Sequence, residues 1–159
     1  FTRQTNAHPE QTLRLKIPCL DRSCSITRNR MAADPATFLL STDPILPDVP
    51  SFAPGKGAEV QFLGVVRGEE DGRSISGIDY TAYLPMAEKM MRELIERGAH
   101  DHGSHRVFIQ HRLGFVANEE PSIVIRVQTK HSAEAFDICR WYLKEIKTSV
   151  PIWKNAVFV

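Results

Sequence analysis

Several basic side chains in this sequence sit where an anion can be held. Arg140, Lys144 and Lys147 recur at helical spacing within 133–149, each one or four positions after an apolar residue of the same run. That spacing puts them along one flank of a helix, beside its apolar stripe. Lys154 follows shortly after, next to Trp153. A row of cations beside a buried stripe lines a groove for an anion. The plainer alternative is a solvated helix edge whose lysine stems cover apolar surface. Arg67 closes an apolar strand pattern and enters a Gly/Glu/Asp loop, where a rigid scaffold hands a side chain to a site; its alternative is a surface ion pair with Glu69 or Glu70. His131 lies between a strand ending near Thr129 and a helix starting near Ser132. Free backbone donors at a helix start favour an anion, and Ser132 is the expected N-cap. For His111 and Arg112, before Leu113 and Gly114, packing and chemistry are equally open.

Other chemistries find less support. His100, His102 and His105 cluster in HDHGSH with Asp101 between two of them. Imidazoles and a carboxylate suit zinc or nickel, but no HExxH helix or cysteine pair completes the set, and the stretch reads as a surface loop without a metal. The cysteines are Cys19, Cys24 and Cys139. That count and spacing build no disulfide framework and fit a reducing compartment. Cys139 falls in an apolar helical pattern and is expected to be a small buried side chain. The chain carries no GxGxxG, no phosphate loop ending in GK[ST] and no GxSxG, so the corresponding nucleotide and hydrolase chemistries have no motif here.

These side chains need elements to position them. Residues 37–40 read as a short strand, and Pro44, Pro47, Pro50 and Pro54 then interrupt regular structure. Residues 58–67 alternate as a strand, with Gly64 marking a bulge or a close backbone approach. A polar connection, GEEDGRS, leads to a second strand over 75–83, so the two are expected to pair antiparallel. Pro85 opens a helix whose apolar pairs Met86/Ala87, Met90/Met91 and Leu94/Ile95 recur every four residues, with Gly98 as its expected end. Strands follow at 107–112 and at 122–129, the latter with Ile123, Ile125 and Val127 on one face. A second long helix spans about 133–149, its expected stripe being Phe136, Cys139, Leu143, Ile146 and Val150. Pro151 stops it, and Ile152 and Trp153 continue as an apolar segment. Mixed strands with two long helices, not strictly alternating, predict an α+β layered fold with antiparallel pairing.

Length and composition bound the rest. The chain has 159 residues, 42% hydrophobic and 25% charged, which is one globular domain plus an extension. No apolar run reaches the roughly 18 residues of a membrane-spanning helix. Residues 1–30 carry six Lys/Arg and two Asp/Glu, whereas 31–159 carry fourteen and seventeen. The body is therefore mildly acidic, unlike a binder of nucleic-acid backbones. Residues 1–30 are expected to be an extension that is disordered or foreign to the natural protein, with organelle targeting or a functional tail as the alternatives, and 31–159 the functional domain.

Taken together, GAEVQFLGVVRG (57–68), YTAYLPMAEKMM (80–91), HRLG (111–114), HSAEAF (131–136) and IKTSVPIWK (146–154) occur in the order and spacing of one family. The chain resembles the large, catalytic subunit of molybdopterin synthase. The resemblance implies an α+β fold of the α/β-hammerhead type and a central homodimer. It also implies a small ubiquitin-like sulfur-carrier subunit whose C-terminal Gly-Gly thiocarboxylate reaches a pocket on the large subunit. The implied substrate is cyclic pyranopterin monophosphate, and the implied activity a cytoplasmic sulfurtransferase that makes the molybdopterin dithiolene, with no metal or cofactor at this step. On this sequence the family's site residues fall at Arg67, Phe62, His131, Lys147 and Lys154. Arg67, Phe62 and His131 are then substrate-binding residues; Lys147 is catalytic and also touches substrate; Lys154 is catalytic, orienting the carrier terminus or the substrate.

The sequence departs from the family pattern in places. Ser132 stands where an arginine usually follows the histidine, and a hydroxyl replaces neither its charge nor its fork. Asn155 and Ala156 follow Lys154 where the family continues WK-x-E. NEEPS replaces a glycine-containing turn, and the family's further basic segment has no counterpart before Val159. These departures imply reduced activity, and they keep open the alternative of a catalytically weak paralogue acting as a dimeric binding or scaffold protein.

Overall fold

In the computed structural model, residues 36–47 and 51–159 are described. The basic extension 1–30, its boundary at Met31, and Cys19 and Cys24 lie outside the described residues. Eight strands and two long helices follow in the order β1 (Ala36–Ser41), β2 (Ala58–Val65), β3 (Glu69–Glu70), β4 (Arg73–Ala82), α1 (Leu84–His102), β5 (Arg106–Arg112), β6 (Gly114–Ala117), β7 (Pro121–Thr129), α2 (Ser132–Ser149) and β8 (Ile152–Phe158). This is the mixed, mostly antiparallel α+β arrangement of a hammerhead-type fold.

The larger sheet has the order β1-β5-β7-β2. Its β1–β5 pair is parallel and the other two pairs are antiparallel. β7 lies inside the sheet, and both of its faces are buried. Ile123, Ile125 and Val127 face α1 and α2 in one apolar core with Met91, Leu94, Ile138, Cys139, Tyr142 and Ile146. On the other face, Arg126 Nε meets Glu59 Oε1 at 3.0 Å. Gln128 there donates to the Ser51 carbonyl at 2.8 Å and accepts from the Ala53 amide at 3.1 Å. The proline-rich segment is thus tied by hydrogen bonds across a sheet face it cannot join, and each of these buried polar groups gains a partner.

The smaller sheet is built on β4, which pairs antiparallel with β3, β6 and β8. Among the described residues its buried cluster holds Val66, Ile75, Ile78 and Val116. The predicted β2–β4 hairpin is instead β3–β4: β2 pairs with β7, and a register shift between Gly64 and Val65 turns the chain out of the larger sheet. The short β3–β4 hairpin turns at Asp71 and Gly72, both at positive φ, as a two-residue hairpin loop requires.

Four expectations about elements need correction. Helix α1 does not stop at Gly98 but runs to His102, with Gly103 as its cap at φ 72. Gly98 is there for packing: a Cβ at this position would lie 2.8 Å from Tyr142 Cζ, so α1 and α2 approach where α1 has no side chain. His100 and His102 consequently lie on the last helical turn, not in a loop. The buried face of α2 is Ala135, Ile138, Cys139, Tyr142 and Ile146, while Phe136 is 59% exposed. Equal 3/4 spacing describes both stripes, and contact with β2, β7 and α1 selected the one containing Tyr142. Finally, Ile152 and Trp153 begin a seven-residue strand, and four residues of β6 follow Leu113. Each is too short or too polar to show a period, and pairing with β4 defines both.

Candidate active site

The end of β2 carries the chain from the larger sheet into the smaller one. Arg67 is exposed there, at the mouth of a cleft of about 660 Å³ lined also by Gly68, Glu69, Asp71 and Gly72. The residue before it is fixed. Val66 accepts from the Glu119 amide at 2.9 Å and donates to the Glu120 carbonyl at 3.0 Å, and its side chain is buried. The arginine thus projects from a rigid point of the backbone.

Lys154 reaches the hairpin beside this cleft from β8. The antiparallel register pairs Lys154 with Tyr80, and its Nζ donates to Glu70 Oε1 of the hairpin. The Glu70 carboxyl is held below the usual carboxylate range, first by the Lys154 hydrogen bond and charge and then by the charge of Arg67. One carboxylate therefore lies in the field of two cations from elements 87 residues apart in sequence. Sequence reasoning allowed an Arg67–Glu70 pair; the direct ion pair belongs to Lys154, because β8 pairs with β4 and brings it to the hairpin.

Lys147 stands on the last turn of α2, exposed. Only Val150 and Pro151 separate α2 from β8, so Lys147 and Lys154 flank one corner of the chain. Among the described residues Lys147 has no carboxylate partner, and its position near the helix C-terminus is electrostatically favourable for a cation. Of the other two cations on that flank, Arg140 and Lys144 are also exposed but lie earlier in the helix. Phe62 is half-buried on the α2-facing side of β2, packed against the larger core. The Cys139 thiol lies beside the Phe62 backbone and is pushed up by burial, as expected of an inert packed thiol.

His131 does not join this group within one chain. It is the N-cap of α2, in extended backbone at φ −128 and ψ 149. Ser132 is the first helical residue and not the cap, and no side chain caps this end. The His131 carbonyl instead accepts from Thr129 Oγ1 at 2.6 Å. Lys147 lies sixteen residues further along the chain, and at about 1.5 Å per residue the intervening helix is more than ~20 Å long. Arg67 and His131 likewise follow opposite ends of the antiparallel β2–β7 pair.

The remaining histidines point to different partners. His100 Nδ1 meets Asp101, His102 packs edge-on against Trp141, and His105 bonds Tyr142 Oη and the Gly103 carbonyl, both at 2.8 Å. Buried His111 bonds the Arg112 carbonyl at 2.9 Å and meets the edge of the Tyr80 ring. Desolvation lowers the basicity of both His105 and His111. Sequence reasoning named Glu70 only as a surface partner of Arg67 and not as a site residue; its one signal was a carboxylate in a tight polar hairpin three residues after Arg67.

Known proteins share this architecture. The MoaE protein family model matches residues 40–149. A molybdopterin synthase catalytic subunit of Thermoplasma volcanium is 38% identical over 104 residues, covering 65% of this chain and 76% of that protein. The chain spans 57% and 54% of the length of fungal and plant catalytic subunits that it also matches. Among solved structures, the molybdopterin synthase crystal structure from Staphylococcus aureus superposes with a TM-score of 0.72 at 27% identity, covering 77% of this chain and 91% of that one. A complex of subunits 1 and 2 of the molybdopterin-converting factor from Helicobacter pylori gives 0.55 at 17% identity, over 79% and 90%. At that identity the likeness is one of fold.

Proposed function

This chain belongs to the MoaE protein family, and from that premise we propose that it is the catalytic subunit of a molybdopterin synthase. In this reading it transfers sulfur from a thiocarboxylated small carrier protein to cyclic pyranopterin monophosphate, forming the dithiolene. The observation that carries it is the Lys154–Glu70 ion pair on the hairpin that follows Arg67, with Lys147, which has no carboxylate partner among the described residues, at the adjoining corner. A phosphate-bearing substrate and a carrier that ends in a carboxyl-derived group both need such cations, and charge-assisted bonds give the strongest hydrogen-bonded recognition.

The roles follow from position. Arg67, fixed at a strand end, binds the substrate phosphate with its planar fork. Lys147 transfers protons, or stabilises negative charge as the thiocarboxylate sulfur attacks the pterin. Lys154 orients the carrier terminus or the substrate. Phe62 supplies an apolar wall. His131 is a substrate-binding residue only if a second copy of the chain brings it, since its own helix holds it far from Lys147. The homodimer is therefore part of the reading. The carrier docks beside the cleft, and the location is cytoplasmic.

The test is single-turnover conversion of the cyclic precursor with saturating thiocarboxylated carrier, followed by dithiolene formation. Product at stoichiometric yield supports the reading. A folded, dimeric chain that binds the carrier and gives no product favours the scaffold alternative, to which the missing guanidinium at Ser132 already points.

A further inference from the structure

Glu70 is an unusual neighbour for an anion site. Its hairpin turns at Asp71–Gly72 and positions the carboxylate against Lys154, with Arg67 close enough to favour its ionised form. The Glu70 side chain is only 18% exposed and that of Lys154 is 59% exposed. The carboxylate is thus the inner partner, and the ammonium remains open to solvent. A carboxylate offers cations the same paired oxygens that a phosphate or a peptide terminus offers. An ion pair open to water on one side is weak and exchanges readily. β3 has two residues, so little pairing resists a small movement of the hairpin.

We propose that Glu70 is a positioning residue that acts as an internal counter-ion, occupying the place of a ligand oxyanion on Lys154, and that a ligand anion must displace it. It holds the Lys154 ammonium against the hairpin whose turn lines the cleft and opposes every anion that approaches. A multiply charged phosphate competes with it better than a monoanion does. This rests on reading the cleft as an anion-binding active site, and it assigns selectivity there to a carboxylate.

The test is calorimetric titration of wild-type protein and Glu70→Gln at low ionic strength. Inorganic phosphate and a short peptide ending in a Gly-Gly carboxylate are titrated separately. Glu70→Gln keeps the side chain's shape and removes its charge. It should bind at least one of the two about fivefold more tightly, the scale of one unit charge acting a few ångströms away through water. The gain should shrink in ~0.5 M salt, where screening is strong. The anion that tightens identifies the group Glu70 imitates. Asp137→Asn removes one carboxylate charge from an exposed position on α2, outside the cleft lining, and should change affinity by less than about twofold. Equal gains in both variants, or no gain for Glu70→Gln with either anion, would overturn the proposal. A measurement without substitution is the wild-type lysine Nζ spectrum: phosphate should shift Lys154 more than Lys144, and an unmoved Lys154 would overturn it too. Absence of turnover in the wild type removes the synthase reading and leaves these titrations standing.

Discussion

The two sheets of this protein are built to different standards. The larger has two helices against one face, a buried ion pair and amide network on the other, and a central strand buried on both faces. The smaller closes, among the described residues, over four buried side chains and leaves Phe115, Trp153, Val157 and Phe158 between 39% and 55% exposed. Arg67, Glu70 and Lys154 all belong to the smaller sheet or its approach. A dense core fixes backbone positions and tolerates few changes. A thin one leaves its surface available for charge and for partners. The helix-covered sheet therefore holds the geometry and the smaller sheet presents the chemistry, with the α2–β8 corner joining them.

That division of labour breaks most sharply at the corner. Lys147→Ala should lower single-turnover product formation by at least about 100-fold, the range for loss of a proton-transfer group. Its urea unfolding should stay within about 0.5 kcal/mol of wild type, as for an exposed site. Lys144→Ala, one turn earlier in the chain and likewise exposed, should have a much smaller effect on product. Equal losses would reduce the role of Lys147 to general electrostatics.

The scaffold should respond the opposite way. Gly98→Ala drives a methyl into the fully buried Tyr142 ring, an overpacking cost of roughly 1–3 kcal/mol, partly offset by about 1 kcal/mol of helix propensity. The urea midpoint should fall with an unchanged slope, while phosphate binding at the cleft is kept. A midpoint at or above the wild-type value would show that the two helices are not tightly registered there.

A weaker effect lies at the seam, where buried His111 of β5 meets Tyr80 of β4. Its pKa is lowered from 6.5 by desolvation, so the unfolded chain binds a proton that the folded one resists. The stabilisation is complete above about pH 6.5 and is lost as the pH falls below it, with a slope of at most ~1.4 kcal/mol per pH unit for one proton. His111→Gln should flatten that slope without abolishing it, since His105 is lowered by the same cause. Stability measured from pH 7.5 to 5 with an identical slope in both proteins would place the protonation elsewhere.

Legible in the sequence was whatever has a local period or a local stop. Ile123, Ile125 and Val127 alternate, Pro85 opens α1, Pro151 follows α2, and Gly64 marks the point where β2 changes register; each acts through bonded neighbours or a single face. The ordered motifs from GVVR to VPIWK likewise placed the chain in its family. Everything else waited on a partner distant in sequence. Gly98 reads as a helix end until Tyr142 is laid against it. Phe136 and Tyr142 both fit helical stripes, and only the packed sheet chose between them. β8 has no period of its own and exists because β4 accepts its hydrogen bonds, and that pairing brings Lys154 to Glu70. His131 and Lys147 flank one helix, so its rigid rise holds them apart, a separation that spacing states once the helix is certain but that no motif reveals. Charges converge or separate through the chain's path in space, whereas periodicity records only which way each residue faces its immediate neighbours.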